Sequence, residues 1–434
     1  MPLKVNFWND RVTSITFLGN QNREIPDIVN YSNVFLRDAS QTPDSVETAT
    51  GLKLFSTGSI ARNIAPKNPP SVTTSGTEPA ITIEWDDGNV STYPESFLRK
   101  YSTSATRRSG KFYEEDEQPW TNQVIEKKKS SLVIAYDNFI NDEKSLHQAF
   151  KGLNHYGVCI VKDIPTNSTK EYGKSSLESI ASRIGYLKET IFGRYFDVVS
   201  KKESENLVTS NKMFHLHQDL LFYESPPAIK VLEAIKNNVT EGGENIFVDL
   251  FSAAKYVQET DPHCYSALCH TPVNFRYISK SGHQFLYTRP MIVEDLDHID
   301  PSTNHPFIRE VNYSPPNQAP FEYGITSPLK KMGQFADWEN LEQYHSAKDT
   351  GDRYIFRDFH RGLKIFEKFI NDEDNQFKVL LKQGEAILFN NRRLAHARTQ
   401  FVDENGGGRW FRVGYMDFDI YYSRLRYLYE KYGP

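Results

Sequence analysis

Residues 386–416 read Ala386-Ile-Leu-Phe389-Asn-Asn-Arg-Arg-Leu-Ala-His396-Ala-Arg398-Thr-Gln-Phe-Val-Asp-Glu-Asn-Gly406-Gly-Gly408-Arg409-Trp-Phe-Arg-Val-Gly-Tyr-Met416. The short apolar run Ala386–Phe389 reads as a strand, and Phe411–Met416 reads as another. Between them lie a polar connection and a glycine turn, with no helical pattern. Working outward, Ile229–Leu232 and Ile246–Val248 repeat the same short apolar rhythm, again joined by long irregular connections. Strands without a sustained alternation of helices favour a sandwich or barrel over a doubly wound sheet. Upstream, Ser145–Leu153 carries a helical pattern, Gly157–Val161 reads as a buried strand, and Ser175–Ile184 as a second helix ending near Gly185. The fold class expected is mostly β, of α+β type.

The first hundred residues have a different texture. Val12–Leu18, Val34–Leu36, Ile81–Trp85 and Thr92–Phe97 are strand-like and separated by turn chemistry such as Asp87-Gly88, so a small β-rich domain is expected over residues 1–103. Residues 104–130 turn polar, with Arg107-Arg108, Glu114-Glu-Asp-Glu117 and Lys127-Lys-Lys129, and read as an exposed linker. The larger domain then occupies residues 131–434.

Composition narrows the function. Of 434 residues, 13% are aromatic, and 24 Gly with 22 Pro is too few for a collagenous or low-complexity chain. A net charge of −5 sets up no positive field for nucleic acid or an anionic bilayer. No apolar run reaches the roughly 18–20 residues of a membrane span. The opening Met1-Pro-Leu-Lys-Val has no signal-peptide pattern, so a cytoplasmic protein is expected. Three cysteines without a CxxC offer no disulfide framework, and Cys264 and Cys269, beside His263 and His270, read as buried thiols rather than metal ligands.

The chemistry concentrates in His217-Gln218-Asp219. In a strand, residues i and i+2 share a face, so an imidazole and a carboxylate there can grip one ion. A third ligand is needed from elsewhere, and His396, just after the strand Ala386–Phe389, supplies it. Two His and one carboxylate on one face leave coordination positions open, the arrangement suited to non-haem Fe(II) that also binds a co-substrate and O₂. A second His-x-Asp, His298-Ile-Asp300, lies in the acidic stretch Glu294–Asp300, which reads as a solvated loop. Thirteen residues past His396 stands Arg409, and period two puts Arg409, Phe411, Val413 and Tyr415 on one face. A guanidinium there suits a dicarboxylate, which it grips with two prongs.

These residues, with Phe35-Leu-Arg-Asp38, Gly51-Leu-Lys-Leu-Phe55, Glu189-Thr-Ile-Phe-Gly193, Pro226-Pro227, Thr240-Glu-Gly-Gly243, Val248-Asp249, Asn391–Arg398 and Ser423-Arg-Leu-Arg-Tyr-Leu428, span nearly the whole chain. The sequence resembles the γ-butyrobetaine hydroxylase and trimethyllysine hydroxylase branch of the taurine-dioxygenase-like Fe(II)/2-oxoglutarate oxygenases. The resemblance implies a jelly-roll catalytic domain behind a small N-terminal domain, assembled as a homodimer. It implies iron on His217, Asp219 and His396, with Arg409 holding the distal carboxylate of 2-oxoglutarate and Asn206 helping to position it. The implied activity is oxidation of an unactivated C–H bond of a small amino-acid-like or betaine substrate, with release of succinate and CO₂. The alternatives are a true carnitine-pathway hydroxylase and, in a different class, a non-catalytic jelly-roll binding protein.

The chain departs from that family in two places. At the positions where the family carries a structural zinc stand Ser40, Thr42, Ser45 and Asn89, which are poor zinc ligands, so no zinc is expected. At the aromatic cage that wraps a trimethylammonium group stand Phe192, Phe196, Thr209 and Tyr415. One ring is missing and two are weaker, a loss of about 0.5–1 kcal/mol per contact. Arg392 and Arg412 are further changes, each a candidate partner for an extra anionic group.

Overall fold

The computed structural model describes residues 3–20, 25–103, 106–107, 117–165, 175–200, 213–279, 281–300, 305–321, 351–403 and 408–433. The chain divides into two compact units, Met1–Glu115 and Asp116–Pro434.

The first unit contains two three-stranded antiparallel sheets, Leu3–Trp8, Val12–Phe17 and Ile28–Ser32 in one, Ser71–Ser75, Glu78–Glu84 and Val90–Pro94 in the other. Ile15, Phe17, Ile81, Ile83 and Trp85 form its core. Val34–Leu36, expected as a strand, lies in the helix Asn33–Asp38, because three apolar residues in a row do not distinguish the two periods. The expected strand Thr92–Phe97 ends at Pro94, which lacks an N–H and starts the helix Glu95–Lys100. Ser40, Thr42, Ser45 and Asn89 are hydrogen-bonded to one another. Asn89 Nδ2 donates to Thr42 Oγ1 at 2.9 Å, Thr42 Oγ1 to Ser45 Oγ at 3.1 Å and Ser40 Oγ to Asn89 Oδ1 at 3.2 Å.

The second unit is a jelly roll of two sheets with helices added. The six-stranded sheet runs Val133–Ala135, Val158–Lys162, Glu385–Asn390, Ile229–Asn237, Arg409–Met416, Tyr195–Val199. The four-stranded sheet runs Phe214–His217, Leu394–Arg398, Asn245–Asp249, Phe377–Val379. Ala386, Ile387, Leu388 and Phe389 are fully buried, which is why that strand reads as an unbroken apolar run. One core cluster joins Ile387, Phe389 and Phe411 of the larger sheet to Phe247, Phe377 and Leu394 of the smaller. Local signals set the helix ends: Asp142 and Gly157 bracket Glu143–Tyr156, and a Ser175–Glu178 capping box starts Ser176–Ile184.

Three expectations are corrected here. The chain beyond Gly185 is richer in helix than its strand-like runs suggested, with Leu250–Thr260, Pro262–His270, Gly351–Asn371 and Phe418–Tyr432. Asp249 and Asp261 cap the first two through their carboxylates, and Phe359, Phe366 and Ile370 of the third pack with Val257 and Leu268. The acidic stretch Glu294–Asp300 belongs to the strand Ile292–Asp300, paired with His305–Val311. A two-stranded ribbon is held by backbone pairing, so its side-chain pattern need not look like a strand. Residues 117–130 are not bare linker: Asn122–Lys128 is a helix and Trp120 is buried in the second unit's core.

Candidate active site

His217 ends the strand Phe214–His217 and stands opposite His396 in the antiparallel register with Leu394–Arg398. Their rings are 4.3 Å apart, centroid to centroid. Asp219 lies just past the end of the strand and comes to the same side as His217. The turn is fixed by Asn391, whose Oδ1 accepts from the Asp219 N–H at 2.9 Å and whose Nδ2 donates to the Asp219 carbonyl at 3.0 Å. The intervening Gln218 is fully buried, donating to the Asn391 carbonyl at 2.8 Å and accepting from the Tyr313 N–H at 2.8 Å. So Asn391, in the turn that carries the chain from Glu385–Asn390 to His396, ties the first two candidate ligands to the third.

Among the described residues, His217, Asp219 and His396 form the one group of three metal-binding side chains, with ligand atoms all within 4.8 Å of one another. His217 Nε2 is 3.3 Å from Asp219 Oδ1, and His396 Nε2 is 3.6 Å from Asp219 Oδ2. His217 Nδ1 lies 2.8 Å from the His215 carbonyl. A proton on Nδ1 makes that bond and leaves the Nε2 lone pair for a metal. Two imidazole nitrogens and one carboxylate, fixed by the backbone and open on the cavity side, fit a non-haem iron(II) ion that keeps positions for other ligands.

A residue that sequence reasoning passed over completes the centre. Lys230, in register with Phe389 on one neighbouring strand and Tyr415 on the other, is buried, and its Nζ donates to Asp219 Oδ2 at 2.6 Å. The same Nζ is 2.9 Å from His396 Nε2. The Tyr415 hydroxyl also donates to Asp219 Oδ2, at 2.9 Å. Burial alone would raise the Asp219 carboxyl, but Lys230, His396 and His217 outweigh it and hold the group well below the usual carboxylate range. Burial, then the Lys230 ammonium, pushes His396 well below its usual value, against the pull of the Asp219 charge. Burial and the Asp219 charge push the Tyr415 phenol far up, keeping it a donor. The signal for Lys230 was a lone charge inside the apolar run Ile229–Leu232.

These groups line a cavity of about 670 Å³. Arg409, Phe411, Val413 and Tyr415 all face it, as period two requires. Arg409 is buried, its guanidinium over the Phe411 ring at 3.9 Å, and no carboxylate pairs with it among the described residues. Burial, and then the nearby Arg398, lowers Arg409 to about 9, a strain on its charge that an incoming anion relieves. Phe192 and Phe196 are on the cavity wall, 5.1 Å apart, and Phe196 lies 6.3 Å from Tyr415. Phe222 and Tyr277, stacked at 5.0 Å, extend the aromatic lining. Asn206 and Thr209 lie outside the described residues. Arg392 and Arg412 face partners of the protein's own: Arg392 donates to Glu310 at 2.6 Å and Asn312 at 2.8 Å, and Arg412 to Asp197 at 2.9 Å.

A family profile described as taurine catabolism dioxygenase TauD, TfdA family matches residues 118–415. The chain is similar to a probable oxidoreductase of Saccharomyces cerevisiae, 31% identical over 446 residues that cover 98% of this chain and 90% of the relative. A dioxygenase of Strobilurus tenacellus is 29% identical, over 93% of this chain and 86% of its own length. A gamma-butyrobetaine dioxygenase of a Pseudomonas strain is 26% identical, over 91% of this chain and 89% of the relative.

Proposed function

Because the chain belongs to the taurine catabolism dioxygenase family of TauD and TfdA, we propose that His217, Asp219 and His396 hold iron(II), that Arg409 binds 2-oxoglutarate, and that the aromatic cavity presents a small substrate to them. The protein is an oxidoreductase of the iron(II)- and 2-oxoglutarate-dependent dioxygenase class, acting on a small molecule. The observation that carries the assignment of roles is the convergence of the three ligands on one cavity that also holds a buried guanidinium.

Bound iron(II) with 2-oxoglutarate supplies O₂ activation and the oxidising power to cleave an unactivated C–H bond, yielding succinate and CO₂. The protein's own residues supply geometry. Arg409 grips the distal carboxylate of the co-substrate in a desolvated site, where a two-pronged charged contact is strong. Tyr415 and Lys230 occupy Asp219 Oδ2, which would leave Oδ1, beside His217 Nε2, to hold the metal. Phe192, Phe196, Phe222 and Tyr277 give the cavity an apolar, aromatic wall for a small substrate.

The substrate is an amino-acid-like or betaine molecule, and the altered cage favours a relative of the carnitine enzymes over a carnitine-pathway hydroxylase. The protein is read as cytoplasmic and homodimeric, the latter checked by its mass in solution. A panel of small amino acids and betaines, followed by mass spectrometry, tests the substrate reading. A product that has gained one oxygen or lost two hydrogens, at the expense of 2-oxoglutarate, is expected. Preferred turnover of γ-butyrobetaine or trimethyllysine would return the chain to the carnitine pathway.

A further inference from the structure

Lys230 stands on the interior strand Ile229–Asn237, between Phe389 and Tyr415 of the two neighbouring strands, and its ammonium lies 5.7 Å and 5.9 Å from their ring centroids. Its Nζ donates to Asp219 Oδ2 at 2.6 Å and lies 2.9 Å from His396 Nε2. A metal takes the His396 lone pair, so that second contact is given up in a loaded site. The bond to Asp219 Oδ2 competes with nothing, because Oδ1 is the oxygen beside His217 Nε2, at 3.3 Å. Lys230 therefore stays paired with the one carboxylate of the candidate ligand set when the site fills.

That pairing sets the charge an ion meets there. Asp219 is the only anion among the three candidate ligands, and the buried Lys230 ammonium offsets it where water screens little. The rest of the described lining does not restore the negative charge. Arg398, two residues beyond His396, and Arg409 are cationic and pack on the Phe401 ring at 4.7 Å and 5.5 Å. Asn245 and Asn317 are uncharged, and Asp197 is held by Arg412 at 2.9 Å. Positive surroundings oppose iron(III) more than iron(II), by the electrostatic work on one further unit of charge. A donor on the outer oxygen of a ligating carboxylate acts in the same direction, since it draws electron density away from the metal. We propose that Lys230, by holding Asp219 Oδ2, tunes the centre to keep its iron ferrous, and so suppresses the side reaction in which iron(II) gives one electron to O₂, leaving iron(III) and superoxide. This rests on the reading of His217, Asp219 and His396 as iron ligands. Lys230 acts through Asp219 and is a positioning residue, distinct from Arg409, which serves the co-substrate.

The test is a redox titration of the full chain, loaded with iron(II) without O₂ and followed by the electron paramagnetic resonance signal of iron(III). 2-Oxoglutarate is left out, so that neither turnover nor its charge enters. Lys230→Met should shift the equilibrium toward iron(III) at least about tenfold, a fall in midpoint of about 59 mV or more for one electron. On admission of air the same variant should turn ferric faster than the wild type. Lys230→Gln, which keeps a donor for Asp219 but no charge, should move the midpoint in the same direction. Lys230→Arg, which keeps the charge, should stay within about threefold of the wild-type equilibrium. Midpoints of Lys230→Met and Lys230→Gln that match the wild type, or lie above it, overturn the proposal. So does a fall in Lys230→Arg as large as in Lys230→Met, since shape and not charge then matters. Loss of iron(II) from both uncharged variants, with Lys230→Arg retaining it, also overturns the proposal, because the lysine then builds the site instead of tuning it. A wild-type protein that takes up no iron(II) defeats the reading of the site itself, and the proposal with it.

Discussion

Two arginines three residues apart on one strand have opposite fates, and the difference is one of face. Arg409 points into the cavity with no acid beside it among the described residues, whereas Arg412 is fully buried against Asp197. Arg409→Ala should raise the 2-oxoglutarate concentration needed for half-maximal turnover roughly ten- to a hundredfold, the worth of a charged hydrogen-bonded contact at about 1.5–3 kcal/mol. Arg412→Ala should leave that requirement nearly unchanged and lower the unfolding temperature instead, because it strands Asp197. Steady-state kinetics on both variants separates the two. Period two in the sequence already distinguished these faces and put His217 and Asp219 on one, although Asp219 lies just past the strand's end and is held there by Asn391, while His396 was picked out by its place just after the apolar strand Ala386–Phe389. Lys230 was not, since a charge inside a buried strand acquires meaning only when the facing sheet shows what it touches.

At the scale of elements, the site depends on a turn. Asn391 bonds the backbone of Asp219 on both sides and also donates to the Pro227 carbonyl at 3.1 Å, so one amide couples two loops and the candidate ligands they carry. Asn391→Ala should weaken Mn(II) binding roughly ten- to a hundredfold, as loss of a residue that orients metal ligands commonly does. A metal titration with unchanged affinity would show that the turn holds its shape without that amide. In the first unit, Asn89→Ala removes the hub of the Ser40, Thr42, Ser45 cluster and should cost about 1–3 kcal/mol, read from denaturant unfolding. Elemental analysis should find no stoichiometric zinc in that unit. The strands of the larger unit could be read from their apolar runs, yet the helices Leu250–Thr260 and Pro262–His270 could not. Their caps, Asp249 and Asp261, are visible in the sequence, but the apolar faces behind them are short and make sense only once Phe359 and Phe366 arrive from a later helix.

Across the second unit, Arg393 binds distant segments together. It is fully buried, paired with Asp249 at 2.8 Å, and donates to the carbonyls of His155 at 2.8 Å and Gln118 at 2.8 Å. Asp249 also accepts from the Trp120 N–H at 3.1 Å and caps the helix Leu250–Thr260. The segment that looked like linker thus ends in the same buried ion pair as the turn before His396. Arg393→Ala leaves Asp249 buried without its counter-ion and should destabilise the unit by about 3–5 kcal/mol, a large fall in unfolding temperature. Such long-range closure is invisible to local patterns, since Gln118 and Arg393 are linked only by the fold. The central claim, that this cavity holds iron(II) and consumes 2-oxoglutarate, is tested most directly by O₂-dependent succinate formation with wild type and Asp219→Ala side by side. Succinate from the wild-type protein and only background from the variant is the result expected, and equal succinate from both, or none from either, would contradict it.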